Sequence, residues 1–235
     1  MSGSAHHGLA RLRGARGPAD ESGVAQYRYG LVLILVVCAV VLAIGAPDGN
    51  ASRAAVFAIV GAALLVAIAT SRERTVVLRR RALLGGTVIV VITVLTAVGA
   101  LAHWVTLGVG AVMTLAVPAT LAGGLLRLVR DRGATVQAVA GGIAIYLLLG
   151  LAFASAIGFV EAVQSGQYFV QIANASASDR VYYSFTVLTT TGFGDFTAAH
   201  GAGRAIAVVE MLFGQIYLVT VISILIGRRI EQSRR

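Results

Sequence analysis

Thr189-Thr190-Thr191-Gly192-Phe193-Gly194-Asp195 stands between two long apolar runs, one ending near Phe159 and the other beginning near Gly201. The residues ahead of it, Asp179 to Leu188, have the composition of one short helix. Gly192 and Gly194 alternate with larger residues, so the backbone can take up positive φ at every second position. Such alternation turns successive carbonyls the same way, where a strand would zigzag. A row of aligned carbonyls, completed by one threonine hydroxyl, can replace the hydration shell of a bare monovalent cation. The short helix aims its negative C-terminal end at the place such a cation would occupy. Asp195 adds a carboxylate at the outer mouth. An isolated Gly-x-Gly is common and means little, but here seven consecutive residues fit and both flanks are of membrane length.

Composition agrees with that setting. Of 235 residues, 57% are hydrophobic and only 12% charged, with a mean hydropathy of +0.85. A soluble domain carries about twice that charged fraction. The net charge is +9, and all 19 basic residues are arginine, with no lysine. A basic balance can signal a nucleic-acid partner, but these arginines cluster at the ends of apolar runs, as the positive-inside rule requires. No nucleic-acid partner is expected. Absent lysine beside abundant Ala, Gly and Val points to a GC-rich bacterial genome. Cys38 lies inside an apolar run and forms no intrachain disulfide. No metal-ligand cluster, nucleophile–base pair or phosphate-binding loop is present, so neither an enzyme nor a cofactor is expected.

Outward from the glycine-rich stretch, six apolar spans follow in order, at about 29–44, 54–70, 82–101, 105–126, 136–159 and 202–226. Residues 1–27 read as a disordered tail. Pro118 is expected to kink the fourth span, and Trp104 marks an interface. Six spans put both termini on one side. With that side cytoplasmic, 16 arginines lie inside, against Arg53, Arg180 and Arg204 outside. The asymmetry fixes N- and C-termini in the cytoplasm of a bacterial inner (plasma) membrane, with the glycine-rich stretch on the outer face.

Thr-Thr-Gly-Phe-Gly-Asp resembles the potassium-channel signature, usually Thr-Val-Gly-Tyr-Gly-Asp. The last hundred residues are similar to the outer helix, pore helix, filter and inner helix of a bacterial two-helix-pore channel, here with four extra N-terminal helices. The resemblance implies an all-α membrane protein of six transmembrane helices, with a re-entrant pore helix and filter loop between helices five and six. It divides the chain into a cytoplasmic tail (1–27), a four-helix transmembrane domain (28–132) and a pore domain (133–235). It implies that Thr190, Thr191, Gly192 and Phe193 supply carbonyls to K+, with the Thr190 hydroxyl innermost. Gly194 would end the filter and Asp195 would sit just behind it. Thr189, Thr186, Tyr182 and Tyr183 would support the filter from the pore helix. Potassium is then the permeant ligand, and no cofactor is implied.

Three departures stand out. Thr191 replaces valine, which matters little if only its carbonyl faces the ion. Phe193 replaces tyrosine and lacks a bracing hydroxyl. Thr186 stands where some bacterial channels have glutamate, so no Glu–Asp pair with Asp195 can form. Ser176 with Asp179, or Ser178 alone, is expected to cap the pore helix. Tyr182 and Tyr183 either brace the filter or anchor the interface. Gly214 is either the family's hinge glycine or a close-packing site. Glu210 is an ionisable group in an apolar helix and thus a functional candidate; it is expected to hydrogen-bond behind the filter, with Gln215 facing the cavity.

The third and fourth spans carry no charge, which argues against voltage sensing. No nucleotide- or calcium-binding regulatory domain is expected after the last span, so gating is expected to come from the pore, the lipid, pH or a cytoplasmic partner. One filter motif per chain predicts a homotetramer. A weakly selective monovalent cation channel and a potassium transporter subunit remain as alternatives.

Overall fold

The computed structural model describes residues 29–70, 76–132, 135–164 and 166–233. Seven helices run through them: α1 (Tyr29–Gly45), α2 (Asn50–Thr70), α3 (Val76–Val98), α4 (His103–Arg132), α5 (Val136–Val163), α6 (Ala177–Leu188) and α7 (Gly201–Ser233). No strand forms among the described residues, where a single antiparallel bridge joins Phe169 to Ala198. Six of the helices take the places of the six apolar spans, and the short α6 takes the place expected for the helix before the glycine loop. The expected tail, Arg72, Arg74, Arg234 and Arg235 lie outside the described residues.

Among the described residues, four helices contain runs long and apolar enough to cross a membrane: Asn50–Ala67, Trp104–Arg130, Val136–Val163 and Gly201–Val221. Two shorter apolar stretches, Tyr29–Gly45 and Gly86–Val98, lie in α1 and α3 among the described residues. The Ala46-Pro47-Asp48 turn ends α1 where expected, and α3 takes Arg79, Arg80 and Arg81 into its first turns. Arginine is a good helix former, so a charged span end continues as helix instead of becoming loop. The same holds for Arg130 at the end of α4. Pro118 lies inside a continuous α4.

One core joins the N-terminal helices to α5. Val32, Val36, Val60, Leu121, Leu128 and Leu148 are fully buried within it. Small residues set the helix spacing, as membrane helices require for close approach. Gly61 abuts Ile89, and Gly110 faces the Phe57 ring at 3.0 Å from where a Cβ would stand. A second, aromatic core of Ile157, Tyr168, Phe169, Tyr183 and Val187 forms beside the glycine loop. α7 is the least covered of the four spans, with only 11% of its apolar window buried, and it exposes Val208, Leu212, Phe213, Ile216 and Val219.

Candidate functional site

α6 positions everything around the glycine loop, and its own start is locally encoded. Ser176 and Asp179 form a reciprocal capping box, the Asp179 N–H donating to Ser176 Oγ at 3.0 Å and the Ser176 N–H to Asp179 Oδ2 at 2.9 Å. This satisfies two donors that helix geometry leaves without partners. Ser178, the alternative cap, lies inside the helix. A third donor is met from far away in the chain. The Ala177 N–H points at both carboxylate oxygens of Asp48, at 3.0 and 3.2 Å, in the turn between α1 and α2.

At the other end, the last four carbonyls of α6 are all engaged. Phe185 O accepts from the Thr189 N–H, Thr186 O from the Thr191 and Gly192 N–H groups, and Val187 O from the Thr190 N–H. Leu188 O accepts from the Tyr146 hydroxyl at 3.1 Å. The chain therefore leaves the helix in a tight, fully bonded turn. Beyond it φ is positive at Thr190 (57°), Gly192 (54°) and Gly194 (82°). The alternation expected for the two glycines extends back to a threonine. That conformation is costly for a β-branched residue, so its surroundings must hold it. Thr189, Thr190, Thr191, Gly192, Phe193, Gly194 and Asp195 are all exposed on the single chain.

The candidates on α6 divide by face. The Tyr182 ring stacks on Phe193 with centroids 6.4 Å apart and planes within 5°. Asp195 sits beside the Tyr182 hydroxyl, and this hydrogen bond, more than burial, pushes the phenol pKa upward. Tyr183 turns the opposite way, into the aromatic core, where it meets Phe169 edge-on at 4.9 Å. Thr186 contributes its carbonyl to the loop and bonds its hydroxyl to Tyr183 O at 2.8 Å. The segment after the loop is tied to the segment before α6 by Val170 N–H to Thr197 O (3.0 Å) and Ala199 N–H to Tyr168 O (2.8 Å).

The three α7 candidates all reach this assembly. Glu210 is fully buried and bonded to Ser184 Oγ. Gly214 lies against the Leu188 carbonyl so closely that a Cβ would collide with it, which gives this glycine a packing role. Gln215 Nε2 donates to the Thr190 hydroxyl at 3.0 Å.

Several residues of the assembly carried no readable signal. Asp48 reads as part of a turn until its partner, 129 residues away, is known. Ser184 and Tyr146 look like ordinary membrane-helix residues. Arg180 is buried at 5% exposure and bonds Glu161 Oε2 at 3.0 Å and Ala175 O at 2.6 Å. Among the described residues no group of three or more His, Cys, Asp or Glu side chains is placed to hold a metal ion. What the arrangement offers instead is a backbone loop of alternating handedness, rigidly seated on a helix C-terminus.

Residues 142–230 match the family model described as Ion channel. The matched stretch runs from α5 through α6 and the glycine loop into α7, and over it the ion-channel resemblance is shown. No curated protein and no solved structure matches the chain.

Proposed function

We propose that this ion-channel module conducts potassium selectively, without voltage gating, as a homotetramer around one pore. The observation that carries the reading is the run of positive φ at Thr190, Gly192 and Gly194. With every second residue left-handed, carbonyls of successive residues can share one side, as cation coordination in a filter needs. K+ would be held by Thr190, Thr191, Gly192 and Phe193, with the Thr190 hydroxyl innermost. The C-terminus of α6 adds a favourable field for a cation.

Four copies follow from chemistry. One loop exposes its residues on one side and cannot surround an ion alone. α7 leaves a row of large apolar residues uncovered in the single chain. A four-fold arrangement would close the loop into a ring and cover part of that row. The membrane is proposed to be a bacterial plasma membrane with both termini cytoplasmic, α1 and α3 crossing together with the four longer helices. The stretch 82–126 carries no charge, so gating is assigned to the pore itself, lipid, pH or a cytoplasmic partner.

A second reading, a weakly selective monovalent cation channel, is favoured by one feature. Phe193 has no hydroxyl, is 69% exposed, and is braced in its own chain by stacking on Tyr182. The reversal potential of the purified protein in planar bilayers, under opposed K+ and Na+ gradients, separates the two. A shift close to the potassium Nernst value supports the selective channel. Robust current reversing near zero supports the second reading, and no current under any gradient counts against both.

A further inference from the structure

Glu210 lies in the middle of a membrane-spanning helix and is 0% exposed within a single chain, so its enclosure does not depend on assembly. Its Oε1 bonds Ser184 Oγ, and its Oε2 has no hydrogen-bond partner among the described residues. Ser184 Oγ is also fully buried and lies 2.7 Å from Gly150 O on α5. Ser184 thus stands between two oxygens with one hydroxyl proton to give. A carbonyl oxygen can only accept, so the Ser184 proton belongs to Gly150 O. The contact between Glu210 and Ser184 then needs a proton of its own, and Glu210 is the only group that can supply it.

The surroundings agree. The titratable side chains near enough to act on Glu210 are Tyr146 on α5, Tyr168 in the loop before α6, and Tyr183 on α6. None is a cation, and no ion pair to Glu210 forms among the described residues. The Tyr146 and Tyr168 hydroxyls are committed elsewhere, to Leu188 O and Gly203 O. An ionised carboxylate here would be desolvated, half unbonded and uncompensated, which membrane interiors do not tolerate cheaply.

We infer that Glu210 is carried as a neutral carboxylic acid whose proton bonds Ser184, so that a relay from Glu210 to Ser184 to Gly150 O ties α7, α6 and α5 together. Glu210 is a positioning residue: it touches no ion, and it acts on the glycine loop through α6. The tie has a matching contact one turn along. Glu210 and Gly214 are four apart on α7, Ser184 and Leu188 four apart on α6, and the pairs meet in the same order. Residues at that spacing share a helix face. The proton therefore secures one of two consecutive turns by which the inner helix seats the pore helix.

The test is infrared spectroscopy of the full-length protein in bilayers at neutral pH, with 13C-carboxyl-labelled glutamate. The other four glutamates are Glu21, Glu73 and Glu231 in polar, arginine-bearing stretches, and Glu161, which is paired with Arg180. A neutral-acid carbonyl band is expected, lost in E210Q and displaced in S184A. Labelled carboxylate bands alone, in the wild-type protein, would overturn the inference. A neutral-acid band at the same position in S184A would overturn the assignment of its proton to Ser184.

Variants give a second readout. Glutamine keeps an N–H donor for Ser184, so E210Q should retain ion flux while E210A loses roughly tenfold in conducting protein, the scale expected for a buried group left unbonded. Equal loss in E210Q and E210A would overturn the donor role. The spectroscopic result is independent of which ion passes, so failure of the inference is distinguishable from failure of the proposed potassium selectivity.

Discussion

Gln215 on α7 donates to the Thr190 hydroxyl at 3.0 Å, linking that helix to the first left-handed residue of the glycine loop. A donor on that oxygen leaves the hydroxyl proton and a lone pair to be shared with an ion or water. Gln215→Leu removes the donor at nearly constant size. A hydrogen bond of this kind contributes about 1 kcal/mol per chain, so the expected outcome is reduced single-channel conductance and a K+/Na+ reversal potential moved towards zero, both read in planar bilayers. An unchanged current–voltage relation would show that the bond does not shape the inner end of the loop.

Gly214→Ala places a methyl group into the Leu188 carbonyl. Backbone cannot yield as a flexible side chain does, so α7 must move away from α6. Overpacking of this type costs about 1–3 kcal/mol. The thermal midpoint of the detergent-solubilised protein should fall, whereas Gly123→Ala, which meets open space, should leave it unchanged.

Arg180 and Glu161 form an ion pair whose side chains are 6% and 15% exposed. Arg180→Met leaves the Glu161 carboxylate without its partner, and removing one member of a buried pair costs about 3–5 kcal/mol. The double variant with Glu161→Leu removes the charge together with its partner and should recover much of the loss. Yield of folded protein in the wild type and the two variants measures this. Equal yields for the single and double variants would mean that the arginine acts only through Ala175 O.

Tyr182 supplies a pH prediction. Its phenol pKa lies above the ordinary value because Asp195 accepts its hydrogen bond, with burial contributing less. For a raised group the stabilisation is complete below the ordinary pKa, about 10, and is lost only as pH rises through the raised value. Conduction should therefore show no dependence on this pair from neutral pH up to the ordinary phenol range. Asp195→Asn should bring the Tyr182 titration, followed by ultraviolet difference absorbance, back down.

How far the chain could be read from its letters depended on distance along it. The Ser176–Asp179 cap and the glycine alternation involve residues within a few positions of one another, and local rules identify them. Glu210 and Gln215 stood out as polar groups in an apolar helix, but their partners Ser184 and Thr190 lie 26 and 25 residues away, and only the fold supplies them. Asp48 was unreadable for the same reason at greater range. The span ends shifted because arginines were counted as loop, although their side chains allow helix to continue. Thr190 was counted among the ligands, yet its φ was not foreseen, since only glycine advertises a left-handed backbone.

Asp48 gives a last prediction. Asp48→Ala removes the acceptor for the Ala177 N–H, at a cost of about 1 kcal/mol or less because the site is exposed. Asp48→Asn keeps an acceptor oxygen and should be milder. Open probability in bilayers, compared across the two, measures how strongly the α1–α2 turn acts on α6.

The left-handed threonine makes the loop a loaded element. A β-branched residue at φ 57° stores on the order of 1–3 kcal/mol. Held against that are the Thr190 N–H bond to Val187 O, the Thr191 N–H bond to Thr186 O, and the Gln215 donor. Weakening those clamps would let this strain go, and the loop backbone, not α7, is the part placed to move.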